Sequence, residues 1–140
     1  MNFSELLSNL TIHYNALIRQ AALLENLSSS QALHLISIPL DGISMTGLSK
    51  KLGLDTSTLT RNVQNLEKNK LIKKYQDASD KRIQKIYLTQ NGINKCNNLK
   101  SKLSKINEIA VENLSFDQQE VLLDSLEQLS WSIDCLRENT

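Results

Sequence analysis

Four residues between positions 55 and 70, Ser57, Arg61, Gln64 and Lys68, recur at intervals of three or four. At ~100° per residue they share one side of a helix. Thr60 and Asn65 lie at the margins of that side, and Leu59, Val63 and Leu66 lie opposite it. Arg and Gln offer paired groups that match guanine and adenine edges, while Ser, Thr and Lys suit phosphate contacts. The one carboxylate near this face is Glu67, toward its edge. A helix kept polar only for solubility more often mixes acids with bases. Further along, Asp80 and Arg82 are two residues apart, which places both on one side of an extended strand. A carboxylate there can orient the guanidinium, and a narrow minor groove attracts a guanidinium through its concentrated negative potential. An exposed ion pair without a function would satisfy the same two residues.

The charge count points the same way. From Lys50 to Lys85 there are ten Lys and Arg against four acids, a local net of +6; the other residues hold 6 basic and 11 acidic side chains, a net of −5. The total of +1 hides this segregation. A polyanion is the expected partner of the middle segment, although a solvated basic face would fit the count equally. Enzyme chemistry finds no nominee: there is no nucleophile elbow, Walker loop, dinucleotide glycine fingerprint or zinc-protease spacing. His13 and His34 have no second ligand at i+3 or i+4, so they read as ordinary helix residues, and neither a metal nor a cofactor is expected. Cys96 and Cys135 sit in helical patterns without ligand spacing and read as packing residues.

The elements that must position these residues follow from period and caps. Four Gly and one Pro in 140 residues argue against most β-sandwiches. Phe3, Leu7, Leu10, Tyr14, Leu17, Ala21 and Leu24 form a heptad-like seam on a helix of about 25 residues. Ser28 and Gln31 make a capping box for a helix running to Ile38, before Pro39. Ser44 opens a third helix that ends at Gly53, and Asp55 caps the fourth. Leu71–Tyr75 and Arg82–Leu88 are β-prone, with a charged tip between them, and read as a hairpin. Thr89 begins a long helix with Cys96, Leu99, Leu103, Ile106 and Ala110 at 3-4-3-4 spacing. Ser115 and Gln118 box the start of the last helix, whose seam is Leu122, Leu126, Leu129, Ile133 and Leu136. Helix, Gly-containing turn, helix and basic hairpin, in that order, describe a winged helix-turn-helix.

Leu27-Ser-Ser-Ser-Gln31, the run Leu48–Glu67 with Leu59-Thr60-Arg61 and Leu66-Glu67, Asp80-Lys-Arg82 and Leu88-Thr-Gln-Asn-Gly92 together resemble the multiple-antibiotic-resistance regulator (MarR) family. The resemblance covers essentially the whole chain. It implies a homodimeric winged-helix transcription factor: terminal helices at the dimer interface, a recognition helix in the major groove and a wing arginine in the minor groove. Two departures stand out. Lys70, after Asn69, replaces the glycine usual behind the recognition helix, and because Asn tolerates the left-handed conformation better, the helix is expected to stop one residue early. Ser79 stands where proline often precedes the wing aspartate, which is expected to loosen the tip.

The expectation is therefore a mainly α chain with a small β-hairpin wing, read as one domain over residues 1–140. Residues 28–89 form the DNA-binding winged helix, and residues 1–27 and 90–140 form the helical dimerisation region. The expected contacts to double-stranded DNA are Ser57, Thr58, Thr60, Arg61, Gln64, Asn65, Lys68, Lys73, Asp80, Lys81 and Arg82. Dimerisation is expected through Leu7, Leu10, Tyr14, Leu122, Leu126, Leu129 and Ile133, with Trp131 nearby, because a small middle module cannot cover three long apolar stripes. A monomeric bundle folding back on itself is the alternative, since seams do not reveal which chain supplies the partner. Any small-molecule effector is expected, from the resemblance, in a crevice between the dimer helices and the winged part. The functional alternative is a winged-helix dimer that docks a protein and no DNA. No apolar run approaches the ~18 residues of a membrane span and Met1-Asn-Phe-Ser-Glu is not a signal peptide, so a cytoplasmic location is expected.

Overall fold

Side chains that bond back to their own backbone set the helix starts. Ser28 Oγ accepts from the Gln31 N–H at 3.1 Å while Gln31 Oε1 accepts from the Ser28 N–H at 2.9 Å. Ser44 caps through the Gly47 N–H, Asp55 through the Thr58 N–H, and Ser115 with Gln118 forms the second expected box. Asn2 and Glu5 form a further box that sequence reading passed over. The resulting order in the computed structural model, which describes residues 1–138, is α1 (Phe3–Leu23), α2 (Ser29–Ser37), β1 (Ile43–Ser44), α3 (Met45–Leu52), α4 (Thr56–Lys68), β2 (Ile72–Gln76), β3 (Gln84–Leu88), α5 (Gln90–Ala110) and α6 (Phe116–Glu138). Residues 139–140, the end of the expected helical region 90–140, lie outside the described residues.

Three helices stop on a left-handed residue: Asn26 (φ 58°), Gly53 (φ 67°) and Lys70 (φ 60°). In each, that residue's own amide and the next one reach back across the last turn, as where Lys70 N–H donates to Glu67 O and Leu71 N–H to Leu66 O. α4 does not stop one residue early as expected. Asn69 stays near helical geometry (φ −82°, ψ 6°), and the lysine takes the strained position. Leu66 and Leu71 are both buried, so packing fixes where the turn falls, and Thr89 Oγ1 donates to Lys70 O at 2.7 Å. The first helix is also shorter than expected: α1 has 21 residues, and Leu24 lies past its end, 70% exposed.

The sheet is antiparallel in the order β1-β3-β2, with Ile72 opposite Leu88 and both Lys74 and Ile43 opposite Ile86. β1 was not expected, because two residues carry no alternation to read. The second hairpin strand begins at Gln84, two residues later than expected; Arg82 and Ile83 belong to the tip, where Asp77 N–H donates to Ile83 O and Ile83 N–H to Asp80 O. Ile72 and Ile86 join Leu35, Leu48, Leu59, Val63, Leu66 and Leu99 in a core that excludes water. Gly92 lets α5 start against the sheet: a Cβ there would lie 2.1 Å from Leu71 O. By its contacts the chain divides into two compact units, residues 1–103 and residues 104 onward, with the boundary inside α5. The whole winged helix and its core lie in the first.

Candidate nucleic-acid interface

α4 turns Leu59, Val63 and Leu66 into the core and leaves Arg61, Gln64 and Lys68 exposed, as their spacing predicts. These three polar side chains are engaged in no hydrogen bond or ion pair among the described residues. Other expected contacts are partly spent on the helix itself. Ser57 Oγ donates to Asp55 Oδ1 at 2.9 Å, and the half-buried Thr60 donates to Thr56 O at 2.8 Å. Thr58 is half-buried, and its N–H donates to Asp55 Oδ1 at 2.7 Å. That backbone bond, then the Ser57 hydroxyl, holds the Asp55 carboxyl below its ordinary range. Glu67, the acid at the edge of the face, lies 3.7 Å from Lys74 Nζ on β2, which offsets its charge.

A polar seam joins α4 to α2. Gln31 Nε2 donates to Asn65 Oδ1 at 2.9 Å, and Asn69 Nδ2 donates to the same oxygen at 3.3 Å. His34, read from sequence as an ordinary helix residue, is buried: its Nδ1 lies 2.6 Å from Ser30 O and its Nε2 lies 3.2 Å from Asn62 Nδ2. The Ser30 carbonyl can only accept, so Nδ1 carries a hydrogen toward it. Ser28, Gln31, Asn62 and Asn65 line a hollow of about 330 Å³ beside the exposed face. Gln31, His34 and Asn62 were missed as positioning groups, because their partners lie some 30 residues away in sequence.

At the wing tip, Arg82 Nε and Nη2 donate to the two oxygens of Asp80, each at 3.1 Å, and the Arg82 N–H donates to Oδ1 at 3.0 Å. The pairing is made by a turn, not by the extended strand that sequence spacing suggested. It lowers the Asp80 carboxyl, chiefly through the Arg82 side chain, and raises the guanidinium. The Arg82 side chain is still 90% exposed, so it is aimed without being hidden. Ser79, in place of a proline, ties the tip through its N–H and Oγ, both donating to Asp77 Oδ1. Lys81 is exposed, and Lys73 Nζ sits 5.6 Å above the Tyr75 ring, which meets Tyr87 edge-on at 5.9 Å.

The profile of the MarR family matches residues 19–84, from the second half of α1 to the first residue of β3. The chain's winged helix is thus similar to that family. Among curated proteins it is 26% identical over 94 residues to an uncharacterized HTH-type transcriptional regulator, YdgJ, of Bacillus subtilis (strain 168), which is 67% of this chain and 57% of that protein. The solved transcriptional regulator SlyA superposes with a TM-score of 0.84 at 22% identity, covering 99% of this chain and 98% of that one. A MepR–DNA complex from S. aureus superposes at 0.77 with 24% identity, covering 94% and 98%. At these identities the two structures establish the shared fold.

Outside the matched segment the expected dimer residues divide. In α1, Leu7 and Tyr14 are half-buried, Tyr14 against the core, and Leu10 is exposed. In α6, Leu122, Leu126 and Ile133 are exposed, Leu129 is half-buried, and no residue is buried. Trp131 is exposed as well. Cys96 is buried beside Leu35 O, and burial pushes its thiol up, as suits a packing residue. Among the described residues no helix is long and apolar enough to cross a membrane, and no group of three His, Cys, Asp or Glu could hold a metal.

Proposed function

We propose that this protein is a sequence-specific, double-stranded-DNA-binding transcriptional regulator that acts in the cytoplasm as a homodimer on a palindromic operator. The observation that carries the reading is the α4 face: Arg61, Gln64 and Lys68, exposed and uncommitted, on a helix anchored by three buried side chains. Arg61 and Gln64 would read base edges in the major groove, with Ser57, Thr58, Thr60, Asn65 and Lys68 at bases or phosphates. Arg82, aimed by Asp80, would enter the minor groove, and Lys73 and Lys81 would neutralise phosphates. The DNA-bound MepR supports this reading through the shared fold.

The uncovered apolar stripe of α6 supports pairing with a second copy, residues 1–27 and 90–140 supplying the interface and residues 28–89 the DNA contacts. Two-fold symmetry would set the recognition helices ~34–36 Å apart, one turn of DNA. Any effector would act by binding tighter to the dimer whose winged units are wrongly spaced for DNA. Recovery of bound duplexes from a random pool tests the function. The expected product is a palindromic consensus with half-sites one helical turn apart; a pool without enrichment would favour a winged-helix dimer that docks a protein instead.

A further inference from the structure

We propose that Gln31 fixes which end of the Asn65 amide faces DNA, making Asn65 a hydrogen-bond donor to acceptor-bearing bases and not a reader of adenine. The inference rests on the DNA-binding reading above and deepens it. The Ser28 backbone N–H can only donate, and at 2.9 Å it donates to Gln31, so that end of the Gln31 amide is Oε1. The other end is then Nε2, which can only donate, and its partner at 2.9 Å is Asn65 Oδ1. Asn69 Nδ2 adds a second donor to that oxygen at 3.3 Å while bonding Asn65 O at 2.9 Å.

The polarity of two amides, Gln31 and Asn65, thus descends from one helix cap. Asn65 Oδ1 is turned toward α2 with two donors on it, and the two hydrogens of Nδ2 remain on the exposed residue. Reading adenine needs both ends of a carboxamide at once, the oxygen accepting from N6 and the nitrogen donating to N7. Asn65 has already committed its oxygen. Its outward donor matches guanine O6 and N7 or thymine O4, and of adenine it can use N7 alone, beside the repelling N6 amino group. Gln64, its neighbour on the exposed face, keeps both ends of its amide for a purine. A glutamate at position 31 would cap α2 equally well, yet it carries no donor for Asn65.

Selection of bound duplexes from a random pool, run in parallel on wild type, Asn65→Ala and Gln31→Glu, tests this. Asn65→Ala identifies the base pair that Asn65 contacts as the one whose preference flattens. In wild type that position should favour guanine or thymine. In Gln31→Glu the carboxylate accepts from Asn65 Nδ2, the amide turns, and the preference should move toward adenine or cytosine by roughly three- to tenfold, the worth of one hydrogen bond. Gln31→Met, which offers neither a donor nor an acceptor, should relax the position without inverting it. The double variant Gln31→Glu/Asn65→Ala should show no shift there, which separates the amide from the added charge. An unchanged base at that position in Gln31→Glu, a uniform loss across all sequences, or no position that responds to Asn65→Ala overturns the proposal. A wild-type pool without enrichment instead overturns the DNA-binding reading on which it stands.

Discussion

α4 and α6 are both amphipathic, and they expose opposite faces. α4 buries its apolar stripe completely within its own unit and shows solvent an arginine, an amide and an ammonium. α6, nearly twice as long, buries no residue and shows Val121, Leu123 and Trp131 along with all of its seam but the half-buried Leu129. The hollows beside them differ in the same sense: six of the seven residues lining the first are polar, whereas Leu114, Val121 and Leu122 make up half of the six lining the second. A helix that is finished inside and cationic outside is ready for a polyanion. A helix that is unfinished is ready for another apolar surface. The two helices therefore offer different chemistry, a polar cationic face in the middle of the chain and an apolar one near its C-terminal end.

Truncating the two stripes should break this contrast most visibly. Leu66→Ala opens a cavity under α4 and should cost about 2–5 kcal/mol in urea unfolding. Leu126→Asp should leave the unfolding of the 1–103 unit nearly unchanged yet weaken self-association by about 2–3 kcal/mol, read by sedimentation equilibrium. If Leu126→Asp instead destabilises the fold at every protein concentration, α6 is covered within its own chain.

Smaller effects sharpen the picture of the finished unit. Glu25 ties the end of α1 to α5 by accepting from Lys102 Nζ at 2.9 Å and Asn98 Nδ2 at 2.7 Å, and these bonds, Lys102 first, hold its carboxyl below the ordinary value. A carboxyl lowered in the folded state adds stability above its ordinary pKa and loses it as pH falls through the folded value. Wild type should therefore exceed Glu25→Gln in urea midpoint at pH 7, and the gap should close as pH falls below the ordinary carboxylate range. Lys70→Gly removes a left-handed lysine and should raise stability by about 0.5–1 kcal/mol, the smallest change of the four.

What could be read in advance was local. Ser28, Ser44, Asp55 and Ser115 cap amides three residues away, and Leu59, Val63 and Leu66 repeat at helical spacing, so sequence alone places them. Leu88-Thr89-x-x-Gly92 was visible as a family signature, but its reason is a close approach to Leu71 O across the fold. Lys70 was misjudged because intrinsic preference favours Asn, while burial of Leu66 and Leu71 fixes the turn one residue later. Asp80 and Arg82 were paired correctly on the wrong backbone. Asn65 was legible as a polar residue at the edge of the face, whereas the direction of its amide depends on a glutamine 34 positions earlier.

The central claim is that the exposed face of α4 meets a polyanionic duplex. Fluorescence anisotropy of the wild-type protein with a recovered duplex, across a salt series, tests it most directly. The logarithm of affinity should fall linearly with the logarithm of salt, and Arg61→Ala should lose about 1–3 kcal/mol and reduce the slope by about one if that arginine also meets a phosphate. Affinity that ignores salt, or an Arg61→Ala variant that binds as tightly as wild type, would contradict the account.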